Sequence, residues 1–61
     1  MTGSLAAAAA DYHAAQDEVA AARARLRQQV RAAHKAGVPK VDIHRISGVS
    51  RPTIDAWTRE Q

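Results

Sequence analysis

Residues 40–59, KVDIHRISGVSRPTIDAWTR, decide the fold that this sequence predicts. Their apolar residues form two pairs with a spacing of three: Ile43 with Ile46, and Ile54 with Trp57. That spacing gives each of two short helices one buried face. Gly48 lies between the pairs, where a chain that leaves a helix often needs a positive φ angle. The stretch therefore predicts two short helices joined by a tight turn, which is a helix-turn-helix arrangement.

Local signals define the limits of the two short helices. Pro39 is suited to the start of the first helix, which we expect to end at residue 46 or 47. Val38 precedes this helix and can pack on Ile43 as a hydrophobic staple. Ser50 offers its hydroxyl as the N-cap of the second helix, which we expect to run from residue 51 to about residue 60.

Residues 5–35 contain no helix breaker and are rich in alanine, the best helix former. We expect one helix of about thirty residues here, roughly 45 Å long, that ends at Gly37. Residues 1–4 are expected to be frayed, with Ser4 as a candidate N-cap.

The last turns of the long helix are the third wall of the predicted core. An apolar stripe with spacings of four and three is formed by Leu26, Val30 and Ala33. Because the two short helices need a third helix to cover their buried faces, we expect this stripe to pack against them. The sequence thus predicts an all-α fold in which the end of a long N-terminal helix completes a three-helix core. It divides the chain into a dimerisation arm, residues 1–25, and a helix-turn-helix unit, residues 26–61.

The larger apolar residues of the long helix recur every seven residues, and an alanine follows each of the first three by three positions. A large residue at one core position and alanine at the other is typical of two closely packed helices. The alternative is that an alanine-rich helix matches this period by chance and that the face is solvated. We expect a homodimer whose seam, called here the heptad stripe, consists of Leu5, Ala8, Tyr12, Ala15, Val19, Ala22 and Leu26.

The sequence favours an antiparallel pair and leaves a parallel pair open. An antiparallel pair would place Asp11 opposite Arg25 of the partner subunit and hold the two helix-turn-helix units roughly 35–45 Å apart. A parallel pair would place Glu18 against Arg23 of the partner subunit and bring both units to one end.

Charge is distributed unevenly along the chain. Residues 1–22 carry three acids and no Lys or Arg, whereas residues 23–61 hold all nine Lys and Arg and only three acids. The basic C-terminal part suits a phosphate backbone. A chain of 61 residues without cysteine has a small core and no disulfides, which favours oligomerisation. The absence of cysteine, of a secretory signal and of a membrane-length apolar run favours a cytoplasmic, nucleoid-associated location.

Residues 36–60, AGVPKVDIHRISGVSRPTIDAWTRE, resemble the helix-turn-helix of small bacterial, phage and plasmid regulators. They are also similar to the DNA-binding end of resolvase and invertase recombinases. The residues that match the shared pattern are Ile43, Gly48, Val49, Ser50, Ile54 and Trp57. His44 departs from it, because the family usually has a small residue where the two helices cross. We expect its imidazole either to turn outward or to push the helices apart.

The resemblance implies sequence-specific binding of double-stranded DNA by a homodimeric transcriptional regulator or repressor, with the last helix in the major groove. The base-contacting residues would be Arg51, Pro52, Thr53, Asp55 and Ala56. The phosphate-contacting residues would be Arg31, Lys35, Lys40, Arg45, Ser50 and Arg59. Arg51 is the candidate for a bidentate contact to guanine, which discriminates by about 1–3 kcal/mol. Trp57 is expected in the core and not as a stacking platform for bases.

Other functions have less support in the sequence. An interaction or architectural protein, whose long helix binds a different protein, is the main alternative. An enzyme is not expected, because no nucleophile–base pair, carboxylate pair or phosphate loop is visible. His13, His34 and His44 lie 21 and 10 residues apart without acidic or cysteine partners at ligand spacing, so no metal site is predicted. We also expect no cofactor, no small-molecule ligand and no membrane partner.

Overall fold

The computed structural model describes residues 2–59, and this part of the chain contains helices and no strands. The three helices are α1 (Thr2–Lys35), α2 (Lys40–Ser47) and α3 (Arg51–Arg59). All three pack against one another. The predicted all-α fold, with a long helix whose end completes a three-helix core, is therefore confirmed. The expected end of the last helix near residue 60 lies outside the described residues.

Helix α1 begins earlier than predicted and ends where predicted. Because it already includes residues 2–4, the expectation of fraying there and of a cap at Ser4 was wrong. The alanine-rich sequence that follows extends the helix at little cost per residue. At the other end Gly37 has a φ angle of 93°. Its N–H donates to the His34 carbonyl, and the N–H of Val38 donates to the Ala33 carbonyl, both at 3.0 Å. This is the Schellman arrangement that ends many helices.

The turn between α2 and α3 also depends on a glycine. Gly48 has a φ angle of 74°, and its N–H donates to the His44 carbonyl at 2.9 Å. The Ser47 hydroxyl donates to the Ile43 carbonyl at 2.6 Å and accepts from the Val49 N–H at 3.2 Å. The polar groups that a helix end leaves exposed thus find partners within the turn.

His44 turns outward, as one of the two expectations for it required. Its side chain is exposed, and Nδ1 lies 2.6 Å from the Val49 carbonyl oxygen. Because a carbonyl only accepts, Nδ1 carries the proton in this hydrogen bond. The imidazole therefore joins the end of α2 to the turn and does not separate the helices.

The core contains one layer of side chains from the three helices. Ile54 is fully buried, and Val30, Ile43 and Trp57 are nearly so. The core position predicted for Trp57 is thus confirmed. The residues that pack against this cluster from its edge are Ala33, Val38 and Val49. Val38 thereby occupies the place predicted for a hydrophobic staple before α2.

Two packing expectations were wrong or incomplete, and one buried side chain was not predicted. Ile46 is 73% exposed. Helix α2 is rotated so that the half-buried Ser47, and not Ile46, lies beside Ile43 on the side that faces the core. Leu26 is 37% exposed, because it lies one turn before Val30, where the cover from the short helices ends. Thr58 is buried, and its hydroxyl donates to the Ile54 carbonyl at 2.9 Å.

The molecule is elongated because α1 extends well beyond the three-helix core. Its principal extents are 54 × 20 × 15 Å. Every residue from 3 to 29 is exposed, including the large members of the heptad stripe. The N-terminal arm of the single chain is therefore an uncovered helix.

Candidate nucleic-acid interface

Helix α3 has one face in the core and the opposite face in solvent. Its buried residues Ile54, Trp57 and Thr58 cluster on one side at 100° per residue. The same rotation places Pro52 and Ala56 at the centre of the opposite side, and both are exposed. The structure therefore presents the face of α3 that the sequence assigned to DNA, and it holds this helix by its other face.

Arg51 is the first residue of α3 and lies on the flank of the helix that also carries Asp55. Its side chain is exposed, and no hydrogen bond or ion pair within residues 2–59 engages its guanidinium. An arginine carries five donors in a planar fork, which matches the two acceptors on the major-groove edge of guanine. At the start of a helix it also adds to the positive end of the helix dipole.

Thr53 and Ser50 lie on the other flank of α3, nearer α1. Thr53 is half-buried and lines a groove between α1 and α3 together with Val49 and Trp57. The Ser50 hydroxyl donates to the Thr53 hydroxyl at 2.9 Å, while the Ser50 carbonyl accepts the Ile54 N–H at 3.0 Å. Ser50 directly precedes α3 as predicted, but the predicted cap by its hydroxyl was wrong, because the hydroxyl donates to the Thr53 side chain and does not accept from a backbone N–H.

Lys40 and Asp55 form an ion pair that ties the start of α2 to α3. The Lys40 ammonium donates to an Asp55 carboxylate oxygen at 2.8 Å. This hydrogen bond holds the pKa of the Asp55 carboxyl below its usual value, and the charges of Lys40, Arg51 and Arg59 lower it further. The pair fixes two residues that the sequence assigned separately to a phosphate and to a base.

The remaining phosphate candidates differ in their surroundings. Lys35 and Arg59 are exposed, and Arg45 is exposed with its guanidinium 3.7 Å from the Asp42 carboxylate. Arg31 instead donates from Nε to the Trp57 carbonyl at 2.9 Å, so it links α1 to the last turn of α3. Its contribution within the domain is to position α3, which the sequence did not indicate.

A second arginine of α1 also reaches α3. The guanidinium carbon of Arg23 lies 5.7 Å from the centre of the Trp57 ring, which is within cation–π distance. No local signal predicts this contact, because 34 residues separate the partners. Thr58 was also missed, although its spacing of four from Ile54 places it on the buried side of α3.

The heptad stripe is uncovered in the single chain. Leu5, Tyr12 and Val19 are 71%, 60% and 68% exposed, and Leu26 marks the point where the stripe meets the core. Beyond Leu26 the stripe borders an apolar groove between α1 and α2. The lining residues of this groove, called here the α1–α2 groove, are Leu26, Gln29, Val30, Ala33, Val38, Ile43, Ile46 and Ser47.

Within residues 2–59, no group of three or more His, Cys, Asp and Glu side chains could hold a metal ion. In the same part of the chain no helix combines the length and the apolar character needed to span a membrane.

Comparisons with protein-family models, with curated protein sequences and with solved structures found no match to this chain.

Proposed function

We propose that this chain is a homodimeric, sequence-specific, double-stranded DNA-binding protein that acts as a transcriptional regulator. The observation that carries the proposal is the exposed face of α3 together with Arg51 at the start of this helix, whose side chain is exposed and has no hydrogen bond or ion pair within residues 2–59. The opposite face of the same helix lies in the core, so the exposed face is presented on a fixed support. A short helix held in this way after a glycine turn is how helix-turn-helix proteins enter the major groove.

Base recognition would come from the first two turns of α3. Arg51 donates to O6 and N7 of guanine, and Pro52 and Ala56 contact a thymine methyl group. Thr53 and Asp55 stand on the two flanks of the helix, where they face neighbouring base pairs. One Asp55 carboxylate oxygen already accepts a hydrogen bond from Lys40. The remaining lone pairs of the carboxylate can accept from a cytosine amine.

Phosphate contacts would fix the position of the protein on the duplex. Lys35, Arg45 and Arg59 are exposed cations on the three helices, and Lys40 and Ser50 lie near the start of α2 and α3. Such contacts carry no sequence information, but each releases counterions from the DNA. Binding should therefore weaken as the salt concentration rises. Arg31 supports the interface from behind through its bond to Trp57.

Pairing of two chains would double the short recognition surface. One α3 helix reads only a few base pairs, and dimeric helix-turn-helix proteins bind two half-sites one turn apart, about 34–36 Å. The exposed heptad stripe is the surface available for such pairing. The homodimer and the DNA-binding face are thus two parts of one proposal.

Site selection from random duplexes, followed by fluorescence anisotropy at several salt concentrations, tests this function. We expect inverted half-sites and an affinity that falls with salt. Arg51→Ala should weaken binding to the selected site by about 1–3 kcal/mol, which is roughly 5- to 150-fold.

Arg51→Lys is the matched control, because it keeps the charge but loses the planar fork. It should preserve the salt dependence and relax the preference at one base pair. An Arg51→Ala chain with unchanged affinity and preference would contradict the proposed readout. A chain without salt-sensitive binding to duplex DNA would instead favour the interaction role of the long helix.

A further inference from the structure

We propose that two α1 helices pair antiparallel in a single register, in which Leu5 of each subunit docks into the α1–α2 groove of the other. The inference deepens the proposed function and rests on its homodimer. It names the occupant of that groove as the N-terminal turns of a second copy of this chain.

The alternation of large and small residues in the heptad stripe favours the antiparallel direction. In an antiparallel pair each large position faces the small position of the partner helix, so the layers within the stripe each combine one large residue with one alanine. In a parallel pair each position faces itself, and layers of two large residues alternate with layers of two alanines. Only the antiparallel pair lets both helices approach at one constant distance.

The charges of α1 favour the same direction. Asp11, Asp17 and Glu18 lie in its first half, whereas Arg23, Arg25, Arg27, Arg31 and Lys35 lie in its second half. An antiparallel pair sets the acidic half of one helix against the basic half of the other. A parallel pair sets acidic half against acidic half and basic half against basic half, and only Glu18 would face an opposite charge, Arg23 of the partner subunit.

The registers that keep large residues of the stripe opposite alanines differ by shifts of seven. The proposed register is centred near residue 17. Its layers join Leu5 to Gln29, Ala8 to Leu26, Tyr12 to Ala22, and Ala15 to Val19. One shift would bring Asp11 beside Glu18 of the partner subunit. The opposite shift would carry Leu5 past the end of α1 at Lys35.

Side chains that flank the proposed seam fit this register. Asp11 lies beside Arg25 of the partner subunit, and the same contact occurs twice by symmetry. At the centre Glu18 approaches Glu18 of the partner subunit. Each of these carboxylates already has Arg25 of its own chain 3.8 Å away, which balances the central repulsion.

The α1–α2 groove is shaped for the N-terminal turns of the partner subunit. Opposite Gln29, the partner's Leu5 lies next to Leu26 and Ile46, which are 37% and 73% exposed in the single chain. The segment that follows Leu5 is five consecutive alanines, residues 6–10. Alanines are the smallest side chains that favour a helix, so the partner helix can pass close to the helix-turn-helix unit. This docking covers Ile46, which the single chain leaves in solvent.

The register also sets the distance between the two DNA-binding units. Val30 marks the core of each unit, and the two copies of Val30 would lie about 39 Å apart along the pair at 1.5 Å per residue. That distance is close to the 34–36 Å between half-sites on one face of the duplex.

Disulfide trapping tests the direction and the register together, since the chain has no cysteine of its own. One experiment mixes Leu5→Cys chains with Gln29→Cys chains, and a second mixes Tyr12→Cys chains with Ala22→Cys chains. The two chains of each mixture differ in mass through a tag, and oxidation is carried out without DNA. A disulfide requires Cα atoms about 4.4–6.8 Å apart.

We expect the mixed disulfide in both experiments and no disulfide between identical chains. In the proposed register identical positions lie about 36 Å apart for Leu5 or Gln29 and about 15 Å apart for Tyr12 or Ala22. Bonds between identical Tyr12→Cys chains would show a parallel pair and overturn the inference. A Tyr12–Ala22 bond without the Leu5–Gln29 bond would overturn the docking in the groove. Failure of both mixed bonds, in chains whose Trp57 fluorescence still shows cooperative unfolding, would also overturn it.

The result is separable from the DNA-binding proposal. If mixed disulfides form but the cysteine-free chain binds no duplex DNA, the proposed function fails and the paired register stands. If the chain binds inverted half-sites but the mixed disulfides do not form, the register fails and the proposed function stands.

Discussion

Two valines on the same helix show how differently the two ends of α1 are used. Val30 is 3% exposed and packs in the core, whereas Val19, three turns earlier, is 68% exposed. Both are in regular helix of similar sequence. The difference arises because α2 and α3 cover only the last turns of α1, while residues 3–29 are exposed.

This contrast separates folding from association. In the C-terminal unit, apolar side chains contribute to the free energy of unfolding through burial within one chain. In the arm the helix is favoured by alanine propensity, and its large side chains gain nothing from burial until a partner covers them. Substitutions in the two regions should therefore change different measured quantities.

The largest effect is expected in the core. Ile54→Ala should lower the free energy of unfolding by about 2–5 kcal/mol, because Ile54 is fully buried and its loss leaves a cavity. A chain of this size has a total of only about 3–9 kcal/mol. Urea denaturation followed by the fluorescence of Trp57, the single tryptophan, measures this change. Val41→Ala, at a position that is 59% exposed, is the control and should change little.

The arm should respond in association and not in folding. Tyr12→Ala should raise the dimer dissociation constant at least about tenfold, since it removes a large side chain from the heptad stripe in both subunits. Alanine also favours helix, so loss of helical structure would not explain the result. Sedimentation equilibrium measures it, with the exposed Gln28→Ala as control. An unchanged dissociation constant would contradict this distinction between the regions. A lower free energy of unfolding of the monomer, followed by Trp57 fluorescence, would contradict it as well.

A glycine in each region sharpens the comparison at the level of the backbone. Gly48→Ala should destabilise the C-terminal unit by roughly 1–2 kcal/mol, because its φ angle is 74° and L-residues are strained there. No atom lies within 4 Å of an added Cβ, so the cost is conformational. Gly3→Ala, within α1, should instead stabilise the helix by up to about 1 kcal/mol and so raise the helix content. Thermal melts by circular dichroism compare the two substitutions. A melting temperature that Gly48→Ala leaves unchanged would refute the account of the turn.

The smallest effect concerns the ion pair between α2 and α3. The pKa of Asp55 is lowered in the folded chain, chiefly by its hydrogen bond with Lys40. The pair therefore stabilises the fold above the ordinary carboxyl pKa of 3.8, and this contribution is lost as the pH falls through the lowered value. Asp55→Asn should reduce stability at neutral pH and flatten its fall in acid. Melting temperatures between pH 2 and pH 7 test this, and Asp17→Asn on the exposed arm should keep the original profile.

Much of this fold was readable from local signals in the sequence. The uninterrupted alanine-rich stretch predicted α1, and Gly37 and Gly48 predicted its end and the turn, because each needs a positive φ angle that other residues avoid. The spacing of Ile54 and Trp57 predicted the buried face of α3. The exposed positions of Pro52 and Ala56 follow from that same spacing, since one face of a helix determines the other. Arg51 is exposed because it is the first residue of α3.

The tertiary structure alone decided the contacts between residues that are distant in the chain. The sequence placed Ile46 in the core and Arg31 at a phosphate, but Ile46 is exposed and Arg31 binds the Trp57 carbonyl. Lys40 and Asp55 were assigned separately and are bonded to each other. Local spacing specifies which residues share a face of one helix. It does not specify how that helix is rotated against its neighbours, and that rotation determines which flanking side chains are buried, paired or free.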